Sequence, residues 1–294
     1  MRVSTQVLVD RSLDRLHGRL SSFEETQTKL ATGRQFQTSS DDVSGMNTAL
    51  ALRSERRSVE QAIRNAEDGK ARVNLADTKI QQMLTAMRRA RDLTIRASST
   101  LQPTERAAIA EEIDTITDEM AELANSEFLG QGLFSGFAAG NAVSSTAGVW
   151  SYDGDTGDVQ RRISQTEVVT VNVRGHEIFG FDAGDNVFDM LEQLSADIIT
   201  GDTTVISGRL NDIDAASRRL EQGLARLGAV GTRIETALKV NLEADETLQL
   251  ELSSVQDVDL AEAVLDIQTQ EIALQATLGS LARAIQPSLL QYLR

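Results

Sequence analysis

Two histidines are the only imidazoles in the chain, and neither has the neighbours that imidazole chemistry requires. His17 lies beside an apolar helical stripe, so we predict that it is a solvated helix residue. His176 and Glu177 begin an H-E-x-x-H zinc pattern, but Gly180 occupies the position of the second histidine. We therefore predict that His176 lies at the edge of a strand and binds no metal.

The acidic loop from Asp153 to Asp158 contains three aspartates and two glycines, a composition that can suit calcium. An EF-hand loop that began at Asp153 would need a bidentate glutamate at its twelfth position, where this chain has Ser164. A glycine-rich turn between two strands is therefore the favoured interpretation.

No other pattern points to catalysis or to a bound cofactor. The glycines of Gly130-x-Gly132 and Gly136 resemble a nucleotide loop, but the third glycine comes one residue late and a predicted helix precedes them where a strand should be. The absence of cysteine excludes disulfides, thiolate zinc sites and thiol nucleophiles. Most carboxylates lie on helix faces opposite apolar stripes, where they solvate a surface. We predict a protein that is not an enzyme and holds no cofactor or metal.

Charge and hydropathy disfavour two classes of partner. The chain has 29 Lys and Arg against 44 Asp and Glu, and its formal net charge of -15 would repel a phosphate backbone. No apolar run reaches the length of about 18 residues that a membrane-spanning helix needs. Asp10 and Arg11 interrupt the first apolar residues too early for a cleaved secretory signal. We predict no nucleic-acid or membrane partner, and either a cytosolic location or export without a cleaved signal.

Glycine and aromatic residues divide the chain into two helical flanks and a different middle zone. Ten of the 20 glycines and six of the eight phenylalanines lie between residues 128 and 188, together with the single tryptophan. The flanks are built mainly of Leu, Ile, Val and Ala with few prolines, a composition that is typical of long helices.

Both ends of the chain carry an apolar heptad seam, in which apolar residues follow one another at steps of three and four. Gln27 is the polar interruption of the first seam, and Glu271 is that of the second. These seams are the candidate assembly interface. Their apolar members are Val9, Leu13, Leu16, Leu20, Phe23, Leu30, Leu260, Val264, Ile267, Leu274, Leu278, Leu281 and Ile285.

Three further helices are predicted between the seams. The segment from Met46 to Thr100 has apolar residues on one side and no proline, and as one helix it would be roughly 80 Å long. Pro103 opens a shorter stripe that runs from Ile109 to Leu123. A longer seam runs from Ile206 to Leu252, after which the sequence Ser253-Ser254-Val255-Gln256-Asp257 predicts a break and the cap of a new helix.

The middle zone predicts two β-hairpins. β-branched residues from Glu167 to Val173 precede Arg174-Gly175 and an apolar run that ends at Phe181, which indicates one hairpin. The segments from Val149 to Tyr152 and from Val159 to Ile163 flank the acidic loop and indicate the other. We expect a single small sheet.

The two terminal seams differ in charge. Residues 240 to 282 contain nine acidic and no basic residues, whereas residues 1 to 40 contain six basic and four acidic ones. The seam helices should therefore attract each other, and the acidic one should resist pairing with itself. The seams alone fit an ordinary antiparallel bundle equally well. The charge asymmetry favours an assembly protein over such a bundle. Because the two helices are more than 200 residues apart in sequence, bury little by themselves and have a high loop-closure cost, we expect them to stay loose in one molecule and to become ordered when copies assemble.

Two blocks of motifs resemble the flagellin-like proteins. Near the start, Lys29-Leu30-Ala31-Thr32-Gly33-Arg34 precedes Ser39-Ser40-Asp41-Asp42, like a helix that ends in a glycine turn before a capped long helix. Near the end, Val255-Gln256-Asp257-Val258-Asp259-Leu260-Ala261-Glu262-Ala263 is similar to the C-terminal block of the family. The resemblance covers roughly residues 1 to 137 and 186 to 294.

This resemblance implies a structural subunit of the bacterial flagellum, exported unfolded through the flagellar type III apparatus and located outside the cell. It implies terminal helices that are disordered in the monomer and form an inner coiled coil after assembly. It also implies an export chaperone that binds the C-terminal region.

Three short segments favour one part of the family. The opening Met1-Arg2-Val3-Ser4-Thr5, the Phe134-Ser135-Gly136 segment and the ending Ser288-Leu289-Leu290-Gln291-Tyr292-Leu293 most resemble members that form a ring at the junction between hook and filament. The expected partners are copies of the chain, a neighbouring hook-associated protein and flagellin. A short filament flagellin is the alternative.

The predicted fold is mainly α, a long antiparallel helical rod or coiled-coil bundle built from both chain ends, with a small inserted β domain. Residues 1–40 and 254–294 are assigned to a terminal coiled-coil assembly region. Residues 41–127 and 186–253 are assigned to a helical rod domain, and residues 128–185 to a small outer β domain.

Overall fold

The computed structural model describes residues 2–99, 101–146, 148–182 and 184–285, which are mostly helical. The helices are α1 (Arg2–Thr32), α2 (Val43–Ala97), α3 (Pro103–Ala124), α4 (Gly175–Phe179), α5 (Val187–Thr200), α6 (Thr203–Gln256) and α7 (Leu260–Ile285). The strands are β1 (Glu127–Phe128), β2 (Gln131–Gly132), β3 (Val143–Thr146), β4 (Val149–Tyr152), β5 (Gln160–Arg162) and β6 (Val168–Thr170). The predicted fold class is confirmed, because long helices from both halves of the chain enclose a short strand region.

The chain divides into two compact units, and the division falls within α2 and α6. The terminal unit comprises residues 1–57 and 245–294, and the central unit comprises residues 58–244. The predicted division into three regions stays a prediction. No helix in the described part of the chain combines the length and hydropathy required to cross a membrane.

Helices α2 and α6 run antiparallel through the central unit. Near one end of the pair, Lys70 Nζ lies 2.9 Å from Glu235 Oε1, and near the other, Arg91 Nε donates to Asp214 Oδ1 at 3.0 Å. Between these ion pairs the two helices bury one apolar face each, as the helical period of the sequence predicts. Fully buried members of the two faces include Ile80, Met83, Met87, Ile213, Leu220, Leu227 and Ile234.

Helix α3 begins at Pro103, as predicted, and packs against α5. The backbone N–H of Gln102 donates to Glu105 Oε2 at 3.1 Å, which satisfies a donor that precedes the first turn. The predicted stripe of α3 is buried, with Ile113 and Ile116 almost completely inaccessible to solvent. These two helices therefore extend the core that α2 and α6 form.

Three separate two-stranded antiparallel sheets replace the single small sheet that the sequence predicts. Strand β3 pairs with β4, and β5 pairs with β6, so the predicted pairing of 149–152 with 159–163 is wrong. The predicted hairpin from Glu167 to Phe181 is also wrong, because its second half forms helix α4. A helix lets the consecutive residues Ile178 and Phe179 both reach the core, whereas a strand would direct them to opposite faces.

The break before the last helix is confirmed, but its cap differs from the prediction. Helix α6 ends at Gln256, and in the new helix the backbone N–H of Ala261 donates to Asp259 Oδ1 at 2.8 Å. The hydroxyl of Ser253 instead donates to Asp257 Oδ2 at 2.6 Å, so these two residues close the end of α6. The capping carboxylate lies two residues later than expected.

A leucine adopts a left-handed backbone conformation at the tip of the first hairpin. Leu129 (φ +52°) and Gly130 (φ +77°) form the two-residue turn between β1 and β2, a turn type that favours Asn-Gly. The Leu129 side chain is 85% exposed, so burial does not offset the backbone cost. We expect Leu129→Asn to stabilise the protein by about 1 kcal/mol in urea unfolding, because Asn tolerates positive φ. Leu129→Ala, which keeps the unfavourable φ, is the control, and equal stabilities of the two variants would contradict this account.

Candidate assembly interface

The start of α7 is joined to the turn that follows α1. The backbone N–H of Val258 donates to the carbonyl of Gly33 at 3.0 Å, and the N–H of Gln35 donates to the carbonyl of Gln256 at 2.7 Å. Gly33 has φ +69°, a conformation that ends a helix at little cost only in glycine. These bonds fix the end of α1 beside the start of α7.

From this turn the two terminal helices run antiparallel and pack against each other. About two turns of α1 before Gly33, the Nε2 of Gln270 donates to Thr26 Oγ1 at 3.0 Å. Farther along, Ser22 of α1 and Thr277 of α7 line one groove. The residue number therefore falls along α1 as it rises along α7.

Each terminal seam consists of two rows, and the helix pair covers only one of them. The covered row is half-buried, and its described members are Leu16, Phe23, Leu30, Ile267 and Leu274. The second row is exposed, and its described apolar members are Leu13, Leu20, Val264 and Leu278. Leu260, the first residue of α7, is exposed as well. The side chains of Val9, Leu281 and Ile285 lie outside the described residues.

The packed faces are poor in apolar burial. Among the described side chains of α1 none is fully buried, and in α7 only Ala263 is. The covered row alternates along α1 with polar positions such as Thr26, and along α7 with Gln270. Tertiary packing supplies most of the stability of a helix, so this pair gains little from its own contacts.

The exposed rows of the two helices lie on the same side of the pair. Arg15 and Arg19 of α1 line a groove with Thr277 and Ser280 of α7, which identifies the polar side. Successive residues of a helix are separated by about 100°, so the exposed row of each helix lies on the side of the packed face opposite to this groove. In an antiparallel pair these flanks meet along one edge. We call this edge, formed by Leu13, Leu20, Leu260, Val264 and Leu278, the apolar side.

Helix α7 has a second apolar surface, which the sequence analysis missed. Leu265 is 64% exposed and Ile272 is 68% exposed, and they lie seven residues apart on one face of the helix. We call these two residues the outer face. Their heptad spacing is present in the sequence, but the same segment contains the longer seam, and only that seam was recognised.

The predicted charge attraction between the terminal helices involves no direct ion pair. Within the described side chains, no salt bridge joins α1 to α7, and Lys29 pairs instead with Glu25 of its own helix at 2.9 Å. Nearer the unit boundary, Arg56 Nε donates to Asp245 Oδ1 at 2.9 Å. Within the part of α1 whose side chains the structure describes, Arg11, Arg15 and Arg19 form no ion pair.

A carboxylate organises the loop that enters α2. Asp41 Oδ2 accepts the backbone N–H groups of Thr38 at 2.9 Å and of Gln37 at 3.0 Å, and its Oδ1 accepts the Thr38 hydroxyl at 2.7 Å. These bonds, the Thr38 backbone bond first, lower the pKa of Asp41 from 3.8 to about 2. Asp42 in turn accepts the N–H of Gly45 at 2.9 Å in the first turn of α2.

We expect the Asp41 carboxyl to titrate with a midpoint near pH 2 in carbon-13 NMR of the folded chain. Because the folded pKa is the lower one, the ionised carboxylate stabilises the loop fully above pH 3.8, and this contribution is lost as the pH falls through 2. Thr38→Val removes one of the hydrogen bonds and should move the midpoint upward. A midpoint near 3.8 in the unaltered chain would contradict the hydrogen-bond account.

The two histidines lie in different surroundings. His17 is exposed on α1, but the strand-edge prediction for His176 is wrong, since it lies in α4. Its Nε2 is 3.4 Å from Asp182 Oδ2 and its ring lies beside Tyr152, with 5.7 Å between ring centroids. Over the described ranges, no three His, Asp or Glu side chains are placed to hold a metal ion.

The acidic loop uses its aspartates within the protein. Asp155 Oδ1 accepts the N–H groups of Phe137 and Gly157, both at 2.8 Å, and Asp158 forms an ion pair with Arg174 at 3.0 Å. The loop joins β4 to β5, which belong to different sheets. It is thus a connection between two hairpins, not the turn of one.

Comparison with known proteins places both helical parts of the chain in one family. The model of the bacterial flagellin N-terminal helical region matches residues 3–139, and that of the C-terminal helical region matches residues 210–293. These segments contain both terminal helices, and together they make up well over half of the chain.

Individual relatives extend over nearly the whole chain. Flagellin of Bacillus subtilis is 25% identical over the full length of both proteins. Flagellar hook-associated protein 3 of Salmonella typhimurium is 24% identical, with 94% of this chain and 95% of that protein covered. The solved flagellar junction protein FlgL of Legionella pneumophila has the same fold, with a TM-score of 0.61 at 13% identity over 71% of this chain and 99% of that one. With paired terminal helices and matches to both helical regions, the chain belongs to the bacterial flagellin family.

Proposed function

We propose that this chain is a structural subunit of the bacterial flagellum, without enzymatic activity, that forms the junction between hook and filament. In this proposal it assembles as a ring through its terminal helices, which become ordered as copies pack together. The likeness to hook-associated protein 3 and to a flagellar junction protein supports the junction assignment. Family membership supports the role in the flagellum.

The observation that carries the assembly proposal is the apolar side of the terminal helix pair. Its five residues remain exposed although α1 and α7 already pack together. Exposed apolar residues along one edge of the helix pair, interrupted by the exposed Gln27 and Glu271, mark a surface that another protein covers. Neighbouring copies that present the same edge could bury it and so order the helices.

The remaining partners follow from the proposed location. A subunit at the junction would contact a neighbouring hook-associated protein on one side and flagellin on the other. We propose export through the flagellar type III apparatus without a cleaved signal, with an export chaperone bound to the C-terminal region before secretion. The protein would then reside outside the cell.

A short filament flagellin is the second candidate. The full-length match to Bacillus subtilis flagellin favours it. Both candidates use the same terminal helices, so they differ in how far the assembly grows and not in the chemistry of the contacts.

The decisive experiment adds the purified chain to flagellar hooks isolated from the source bacterium and examines the products by electron microscopy. A junction subunit should form a thin zone on each hook and stop there, even with excess chain. Long filaments would instead identify a flagellin. Failure to add to hooks or to self-associate at any concentration would contradict both candidates.

A further inference from the structure

Arg72 of α2 is buried in the central unit and bonded to a neutral group. Its side chain is 1% exposed, and its Nη2 donates to the carbonyl of Gly132 in β2 at 2.8 Å. Over the part of the chain that the structure describes, the buried Nε of Arg72 has no hydrogen-bond partner. A guanidinium removed from water normally pairs with an anion, so a bond to a neutral carbonyl is unusual for it.

A carboxylate lies close to Arg72, but another arginine already binds it. Asp68 precedes Arg72 by four residues, a spacing that places the two side chains next to each other on α2. Asp68 Oδ2, however, accepts from Arg161 Nε of β5 at 2.6 Å. Burial lowers the pKa of Arg72, and the nearby Arg161 cation lowers it further. Two guanidinium groups therefore lie beside one carboxylate, and the one from β5 holds it.

The carbonyl that Arg72 binds is one that the first hairpin does not use in its own ladder. Gly132 faces Glu127 of β1, and the Leu133 N–H donates to the Ser126 carbonyl at 2.9 Å in the next position. Pairs alternate along an antiparallel ladder, so Gly132 and Glu127 are a non-hydrogen-bonded pair. Strands β1 and β2 have only two residues each, and so short a hairpin needs other contacts for stability. The Arg72 bond thus anchors this hairpin to α2.

The two arginines and Asp68 have a second arrangement open to them. If Arg161 withdrew, Asp68 would be free to accept from Arg72, which would form an ion pair between residues four apart on one helix. Charge-assisted hydrogen bonds of this kind are stronger than a bond to a neutral carbonyl. The Gly132 carbonyl would then lose its donor. The position of β5 therefore decides whether Arg72 holds β2.

We propose that Asp68 and Arg72 couple the hairpin of β5 and β6 to the hairpin of β1 and β2. While Arg161 occupies Asp68, Arg72 anchors β2, and when β5 moves away, Arg72 turns to Asp68 and releases β2. Coupling between two sites requires an element with two arrangements whose balance both sites bias, and the Arg72 side chain is that element. The inference concerns the central unit alone and does not depend on assembly.

Two substitutions that break the same ion pair provide the test. Arg161→Met and Asp68→Asn each remove the bond between Arg161 and Asp68, but only Arg161→Met leaves a carboxylate for Arg72. The measured quantity is the hydrogen-exchange rate of the Leu133 amide in the full-length chain, followed by NMR. The Asp153 amide, which is hydrogen-bonded beside the hairpin of β3 and β4, is the internal reference.

We expect Arg161→Met to accelerate exchange of the Leu133 amide about tenfold, because the hairpin loses one anchoring hydrogen bond. Asp68→Asn should change this rate less than about twofold, since Arg72 then stays on Gly132. The Asp153 amide should keep its rate in both variants. Equal acceleration in the two variants, or no acceleration in Arg161→Met, would overturn the coupling.

Substitution of Arg72 itself completes the test. Arg72→Met removes the anchor directly and should accelerate Leu133 exchange by the same factor, whereas Arg88→Met, at an exposed position of α2, should leave the rate unaltered. Arg72→Met combined with Arg161→Met should add nothing further, since both changes act through one side chain. Additive acceleration in the double variant would contradict the coupling. Arg161→Thr, which suits a strand, replaces Arg161→Met if that variant does not fold, and the same outcomes decide.

Discussion

Replacing Leu278 with Asp should abolish incorporation of the chain into hook-attached assemblies while leaving the monomer folded. Leu278 is 47% exposed on the apolar side, so a carboxylate there stays hydrated in the free molecule. Assembly would have to bury that charge without a partner, at a cost of about 3 kcal/mol or more for each contact. This corresponds to at least about 100-fold weaker association.

Sedimentation velocity and electron microscopy on hooks measure this effect, and circular dichroism checks the fold. The matched control is Ile199→Asp, which places the same charge on an exposed apolar site outside the terminal helices and should assemble normally. Leu278→Met preserves an apolar side chain and should also assemble. If the Leu278→Asp chain built normal junctions, the apolar side would not be an assembly surface.

A second substitution separates the two rows of the seam. Leu274 is half-buried in the row that packs between α1 and α7, so Leu274→Asp should loosen the helix pair as well as block assembly. Leu278→Asp should affect assembly alone. The distinction between the rows follows from the structure, since the sequence presents both as members of one seam.

The helices were predictable because a period of 3.6 residues records which face is buried. The stripe from Ile109 to Leu123, the long α2 helix and the break before α7 were all visible in this way. The direction in which each seam faces was not predictable from the sequence. Packing of α1 on α7 uses one apolar row and an adjacent polar row that includes Thr26 and Gln270, a choice made by tertiary contacts.

The strand region was less predictable, because short strands carry weak periodic signals and their partners depend on distant contacts. The sequence predicted strands near 149–152 and 168–170. It did not predict the strand Val143–Thr146, which has only one apolar residue. That strand is stabilised by pairing with β4 and by Asn125, whose side chain accepts from the Val143 N–H at 2.9 Å and donates to its carbonyl at 3.0 Å.

The candidate interface was partly predictable. The seam residues lie in paired terminal helices, and five of them are exposed, but the outer face of Leu265 and Ile272 was missed. A helix with two apolar stripes is typical of one that has more than one neighbour, and only one of the two stripes was predicted from the sequence. The charge attraction between the terminal helices stays a prediction, since no ion pair joins α1 and α7 among the described side chains.

Hydrogen exchange on the isolated chain should separate loose terminal helices from a preformed bundle. We expect amides of α1 and α7 to exchange about 1,000-fold faster than core amides of α2 and α6 in the central unit. Local opening of a helix pair with almost no buried side chain costs little, whereas exposing the core requires global unfolding, a difference of about 4 kcal/mol. Equal protection in both sets would contradict assembly-coupled ordering and favour the bundle.

A disulfide between the terminal helices provides the matched comparison. Thr26→Cys with Gln270→Cys replaces a side-chain hydrogen bond of 3.0 Å and would close a loop of more than 200 residues, which stabilises by about 5.5 kcal/mol in the chain-entropy model. The oxidised variant should protect α1 and α7 without assembly, and its reduced form should behave like the natural chain. Assembly of the natural chain should produce the same protection, because neighbouring copies then supply the apolar contacts that one molecule lacks. If protection in α1 and α7 did not rise on assembly, the proposal that packing between copies orders the terminal helices would be wrong.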